Sequence, residues 1–289
     1  MKLTHYQSAE EFLTTTRETM EAHEVVNSLM LGIAENLTQN PHFYSDADPY
    51  LAVVEHDGRQ VLRATMTPPY GLLLTYPSPP EAEAFQLVVE DIQEKGLPLA
   101  NLSCTKPIAE QFAQAWANHH QGSYQLEMAQ RLYELRTVNP VENVPGEIRT
   151  AVGADVPLLV EWMIAFEIDC FGKLESEEER ITKNVAAGVA AGSWGIWFNE
   201  ENPVSMVVSG RPTRHGISVS GVYTPPEHRK HGYASACVAA HSQKLLDQGY
   251  QFCSLFTDLA NPTSNSIYMQ IGYQPVADFD KFKLIPPQS

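Results

Sequence analysis

The chain has 289 residues, 43% of them hydrophobic and 19% charged, with a net charge of −16. That length predicts two domains of ordinary size, and the composition fits a chain that buries a core rather than a disordered one. The charge argues against nucleic acid as the main partner, because phosphate binding needs a basic footprint; it permits a cationic substrate such as an amine, steered by the field of an acidic protein.

The first predicted element is a helix from Ser8 to about Leu37. Ser8 is placed to accept from an early backbone N–H, Glu11 can reach back, and Val25, Leu29 and Ile33 recur at helical spacing. Strands follow at Tyr50–Val54 and Val61–Met66 around the His56-Asp57-Gly58-Arg59 turn, then at Leu72–Tyr76. Ala82–Lys95 reads as a helix stopped by Gly96, Leu99–Ser103 as a strand, Ile108–Asn118 as a helix and Gln125–Thr137 as one or two strands. The proline- and asparagine-containing segment Val138–Pro145 is the expected linker.

The second half repeats that order. A helix is expected over Ala154–Phe171, strands over Trp194–Phe198, Val204–Gly210 and Ile217–Tyr223, and a helix over Ala234–Gln248. A strand at Phe252–Thr257, a helix at Ser264–Ile271 and a final strand complete it. The alternation predicts an α/β fold of the layered α+β kind, and the repeated order suggests a duplicated domain. The expected division is residues 1–138, a linker at 139–146, and 147–289.

The chemistry is concentrated in Val222-Tyr223-Thr224-Pro225-Pro226-Glu227-His228-Arg229-Lys230-His231-Gly232-Tyr233-Ala234. A strand ends, a short loop with the pattern R-x-x-G-x-A follows, and a helix begins. The first N–H groups of a helix have no intrahelical partner and carry the positive end of its dipole, which suits a pyrophosphate. Arg229 and Lys230 add positive charge in an otherwise acidic chain. After the next strand, Asn261-Pro262-Thr263-Ser264-Asn265-Ser266-Ile267-Tyr268-Met269-Gln270-Ile271-Gly272-Tyr273 sets an asparagine seven residues before a helical tyrosine.

Together these two motifs resemble the GNAT superfamily of N-acetyltransferases, over about residues 147–285. They also resemble a branch of predicted acetyltransferases of this length, which names no substrate. The resemblance implies tandem GNAT-like domains, each a mixed, mostly antiparallel sheet with flanking helices, and acetyl-CoA as the acetyl donor. It implies that the backbone of Val222, Tyr223 and Thr224 bonds the pantetheine arm and the acetyl carbonyl. It implies that Arg229, Lys230, His231, Gly232, Tyr233, Ala234 and Ser235 cradle the pyrophosphate. It places Asn261 beside the pantetheine chain or the loop next to it, and Tyr268 beside the sulfur as proton donor to the departing thiolate. Many members have glycine where this chain has Ala234.

The expected reaction is direct attack of an amine on the thioester in a ternary complex, the acceptor being a small-molecule or peptide amine. Glu161, Glu167 and Asp169 lie on the 155–171 helix, and Glu167, between Phe166 and Ile168, is the candidate base; a water chain is equally open. The first half has no such loop: Pro77-Ser78-Pro79-Pro80-Glu81-Ala82-Glu83 follows its third strand, and acidic residues there repel a phosphate. It reads as a degenerate copy without a cofactor motif. The competing function is a non-catalytic acyl-CoA-binding or regulatory protein, which would not need Tyr268.

Cys104, Cys170, Cys237 and Cys253 form no C-x-x-C pair, and the histidines lack ligand spacing, so reduced thiols and no metal are expected. No signal core opens the chain and no apolar run reaches the roughly 18 residues of a membrane helix, so a cytoplasmic protein without a membrane partner is expected. The oligomeric state stays open.

Overall fold

In a computed structural model of the protein, residues 1–174 and 176–287 are described. The chain opens with strand β1 (Lys2–His5), then helices α1 (Ala9–Glu21) and α2 (Glu24–Gln39), and strands β2 (Tyr50–His56), β3 (Arg59–Met66) and β4 (Leu72–Thr75). Helix α3 (Ala82–Glu94), strand β5 (Asn101–Thr105), helix α4 (Lys106–His120) and strand β6 (Ser123–Leu135) complete the first series. The second series has the same order: β7 (Glu147–Thr150), α5 (Val156–Phe171), α6 (Glu178–Ala190), β8 (Trp194–Asn199), β9 (Asn202–Gly210) and β10 (Gly216–Tyr223). It ends with α7 (Tyr233–Asp247), β11 (Phe252–Asp258), α8 (Pro262–Ile271) and β12 (Gln274–Ile285).

The expected layered α/β fold with mostly antiparallel sheets is what these elements build. The single helix expected over residues 8–37 is in fact two. Ser8 Oγ does accept from the Glu11 N–H (3.2 Å), while the Glu11 carboxylate takes the Gln7 N–H (3.2 Å). The chain then breaks at Ala22-His23, where the Asn27 side chain donates to the carbonyls of Met20 (3.1 Å) and His23 (3.0 Å). The same two carbonyls also accept backbone N–H groups, Met20 from His23 and His23 from Asn27 (3.1 Å each), so the Asn27 side chain fastens the junction of the two helices.

Two compact units result. One comprises residues 1–132, 256–261 and the segment from Pro275 onward; the other comprises 133–255 and 262–274. Each unit draws on more than one stretch of the chain. In the first unit β1, β2, β3 and β4 pair antiparallel in order, β4 pairs parallel with β5, and β12 adds antiparallel to β5. The last strand thus completes the sheet begun by the first residues. Arg131 and Asp278 tie β6 to β12 with bonds of 2.6 and 2.9 Å. One core, around Phe85, Phe112 and Trp116, lies under α3 and α4; the other, around Phe12, Met30 and Leu31, lies under α1 and α2.

In the second unit β7, β8, β9 and β10 pair antiparallel, and β10 pairs parallel with β11. Helix α7 covers one face, with Cys237, Val238 and Leu245 against Ile217 and Cys253. Helices α5 and α6 cover the other, with Leu159, Trp162, Ile181 and Val185 against Ile196, Met206 and Tyr223. These faces fix where α5, α7 and the end of β10 stand.

Candidate active site

The pairing of β10 with β11 covers Gly216–Ser218 and Phe252–Ser254. Residues 219–223 lie past it. Against β9 the register slips between Ser220 and Tyr223, which face Val208 and Met206: one extra residue is inserted in β10. Gly221 takes φ +57° at that bulge, and a Cβ there would stand 2.8 Å from Val208. A bulge re-aims backbone groups, so the N–H and carbonyl groups of the next residues leave the ladder direction. Ser205, fully buried on β9, fixes the end: its hydroxyl donates to the Tyr223 carbonyl (3.1 Å) and lies 2.9 Å from Thr224 Oγ1.

The loop beyond is held at both ends. Arg229 Nε donates to the Thr224 carbonyl at 2.9 Å, and Nη2 lies 2.5 Å from Asp169 at the end of α5. Its guanidinium carbon stands 5.8 Å from the Tyr223 ring centre. Burial first, then the Asp169 charge, pushes the Tyr223 phenol above its ordinary value. Lys230 and Gly232 both adopt left-handed backbone, at φ +67° and +81°. Glycine suits the second for this reason, and also because a Cβ would lie 2.8 Å from the Val144 side chain.

Gly232 is the N-cap of α7, and no side chain caps this helix end. The Ala236 N–H bonds the Gly232 carbonyl (3.0 Å), so the N–H groups of Tyr233, Ala234 and Ser235 precede the first helical bond. Arg229, Lys230, His231 and Gly232 are exposed around them. His231 stacks on Tyr233 (5.5 Å, 19°), and the Tyr233 hydroxyl accepts from Asn199 (3.0 Å). Uncapped helical N–H groups with two cationic side chains beside them favour an anion on general electrostatic grounds.

Tyr268 stands on α8, half-buried, with its ring edge-on to Tyr273 at 5.9 Å. Burial, then the nearby Cys170, pushes its phenol well above the ordinary range. It is therefore neutral at pH 7 and carries a proton to donate. Cys170 lies in the last turn of α5, and no local pattern singles it out. Tyr273 is fully buried and shares a 2.9 Å hydrogen bond with Ser242. The Tyr133 hydroxyl donates to Asn265 at 2.8 Å, which fixes α8 from within the second unit.

The second unit thus brings together Val222, Tyr223, Thr224 and the loop from Arg229 to Ser235, while Asp169 of α5 bonds Arg229 and Cys170 of the same helix acts electrostatically on the Tyr268 phenol. Asn261 belongs to the segment 256–261 grouped with the first unit; it is exposed, and its N–H donates to the Asp258 carbonyl (3.1 Å). Glu167 is 7% exposed and accepts the Ser176 N–H at 2.9 Å, which turns it toward the chain that follows α5. Gly221 and Ser205 complete the site; a glycine inside a strand is the signal that marks such a bulge. Among the described residues, no helix is long and apolar enough to cross a membrane, and no group of three or more His, Cys, Asp or Glu could hold a metal ion.

The family model described as FR47-like protein matches residues 198–280, which include both the β10–α7 loop and α8. No curated protein sequence matches the chain significantly. Among solved structures, a Drosophila protein aligns with a TM-score of 0.71 at 12% identity, covering 99% of each chain. A GCN5-related N-acetyltransferase from Sphaerobacter thermophilus aligns at 0.66 and 15% identity, covering 99% of this chain and 97% of its own. A tandem GNAT protein from the clavulanic acid biosynthesis pathway aligns at 0.58 and 12% identity, covering 100% and 99%. The family-model match over residues 198–280 and these alignments show that the chain shares the fold of GNAT acetyltransferases, with two like-ordered series of elements.

Proposed function

We propose that the second unit transfers an acetyl group from acetyl-CoA to a primary amine by direct attack in a ternary complex. The observation that carries this reading is the uncapped start of α7 behind an exposed Arg229-Lys230-His231-Gly232 loop, directly after the bulged end of β10. A pyrophosphate fits the N–H groups of residues 233–235, and the β10 end offers backbone groups to the pantetheine arm. The first unit supports the same reading by contrast. There β4 is followed by Pro77-Ser78-Pro79-Pro80, and Glu81 and Glu83 open α3, where a phosphate is repelled.

The amine lone pair attacks the thioester carbonyl carbon, and the Val222 or Thr224 N–H stabilises the oxyanion that develops. As the C–S bond breaks, Tyr268 gives its proton to the leaving sulfur; its neutral phenol supports this role. The amine proton passes to water. The engagement of Glu167 with Ser176 favours water over Glu167 as its first acceptor.

Incubating the protein with acetyl-CoA and a panel of amines, and following thiol release, tests the proposal. Acceptor-dependent release supports it. Saturable acetyl-CoA binding with no release on any amine would instead favour a non-catalytic acyl-CoA-binding protein.

A further inference from the structure

The first unit holds a charge that its own residues do not balance. Arg63, on β3, is fully buried. It faces the side covered by α1 and α2, because it is paired in register with Val53, a member of that core. Its Nε donates to Gln60 Oε1 at 2.9 Å and its Nη2 to Thr19 Oγ1 at 2.7 Å. Its Nη1 has no partner, and no carboxylate forms an ion pair with it among the described residues. Burial alone shifts the guanidinium, down to about 10, with no opposing charge to raise it. It remains a cation at pH 7.

A buried, unpaired guanidinium is costly. Buried charges persist where they are paired, and replacing them by apolar groups of like volume is often neutral or stabilising. The nearby Thr65 Oγ1, two residues on and on the same face of β3, is also buried without a partner. Orphaned donors of this kind mark a group missing from the inventory.

The two residues that hold Arg63 open onto space. Thr19 and Gln60 line a groove of about 860 Å³, together with His56, Arg59, Val61 and Ser78. The guanidinium therefore lies one side chain behind the groove wall. Gln60 is itself fastened, with Nε2 donating to the Thr15 carbonyl at 2.7 Å. Glu55 and Asp57 also border the groove, so a multiply charged anion meets repulsion at its mouth, while Val61 and Pro77 offer apolar surface.

We propose that the first unit binds a small monocarboxylate with an apolar body in this groove, its carboxylate turned to the Arg63 guanidinium. One negative charge answers one buried positive charge across the Thr19 and Gln60 side chains, which stand between the groove and the guanidinium. The site is independent of the donor loop of the second unit. It gives the unit that lacks a cofactor motif a ligand of its own.

Thermal unfolding of the full chain in sodium acetate, sodium benzoate and inorganic phosphate, at ionic strength matched with chloride, tests this. Tm rises saturably with benzoate or acetate and stays unchanged with phosphate. No response to either monocarboxylate overturns the proposal, and a response to phosphate as large as that to benzoate overturns the ligand class. Gln60→Glu locates the site, because it places a carboxylate of the chain itself beside Arg63. That variant has a higher Tm without ligand and no longer responds to benzoate. If it responds as the parent does, the ligand is bound elsewhere and the proposal fails. Arg63→Met, similar in length, is at least as stable as the parent without ligand and likewise unresponsive; a benzoate response kept in that variant also overturns the proposal.

Discussion

Arg229 Nη2 lies 2.5 Å from Asp169 Oδ2, so the loop that begins α7 is fastened to the last turn of α5. The same arginine donates to the Thr224 carbonyl at 2.9 Å. One side chain thus links the end of β10, the loop, and the helix that also carries Trp162 against Tyr223 at 6.4 Å. In the proposed reaction the donor-binding loop and α5 are mechanically one piece.

This pair competes with a bound pyrophosphate for the guanidinium. Both side chains are nearly half exposed, so the pair adds little to stability. Asp169→Asn is expected to leave Tm nearly unchanged and to lower the KM for acetyl-CoA, by at most about fivefold for a pair worth about 1 kcal/mol. Arg229→Gln is expected to raise that KM. Steady-state kinetics on both variants checks the opposite signs; a KM raised in both would show Asp169 positioning Arg229 instead.

Gly232 answers to two constraints, its φ of +81° and the Val144 contact. Gly232→Ala places a Cβ in left-handed backbone, at a cost of about 1–2 kcal/mol, and also pushes on Val144. Lower Tm and weaker acetyl-CoA binding are expected together, measurable by denaturant unfolding and by titration calorimetry. Gly221→Ala strains the bulge in the same way, against Val208. Its expected effect is a lower kcat with the pyrophosphate contacts left in place.

His241 makes the second unit sensitive to acid. It is 1% exposed on α7, neither ring nitrogen has a hydrogen-bond partner among the described residues, and burial, then Lys244, pushes its pKa down to about 4. The unfolded chain binds this proton from about pH 6.5 downward, whereas the folded chain resists it until about pH 4. Stability is therefore lost as pH falls through that window, by roughly 3 kcal/mol at this site. Unfolding at pH 7 and pH 4.5, compared between the parent and His241→Leu, isolates it from the carboxylates. The variant should lose roughly 2 kcal/mol less than the parent over that interval; equal losses would mean that His241 is paired or hydrated.

The legible parts of this protein are those where local chemistry is specific. Arg229-x-x-Gly232-x-Ala234 announces a strand–loop–helix because glycine, small residues and bare helical N–H groups are needed at fixed offsets. The strands around the 56–59 and 199–202 turns are legible from turn residues and apolar runs. Short edge strands are not: β1 and β7 have four residues each and little apolar alternation. Helix α6 buries Ile181, Val185 and Val189 at four-residue spacing, but its Ala-Ala-Gly run blurs the period. The pairing of β12 with β5, the meeting of Asp169 with Arg229, and Cys170 beside Tyr268 join residues far apart in sequence. No local pattern encodes such contacts.

The central claim, amine acetylation with Tyr268 as proton donor, is met most directly by thiol release from acetyl-CoA in the parent and Tyr268→Phe, on whichever amine the parent accepts best. The account predicts acceptor-dependent release by the parent, a fall in kcat of roughly 10²- to 10⁴-fold in the variant, and little change in acetyl-CoA affinity. A variant that turns over at the parent's rate would contradict the role of Tyr268, and a parent that releases no thiol with any amine would contradict the reaction itself.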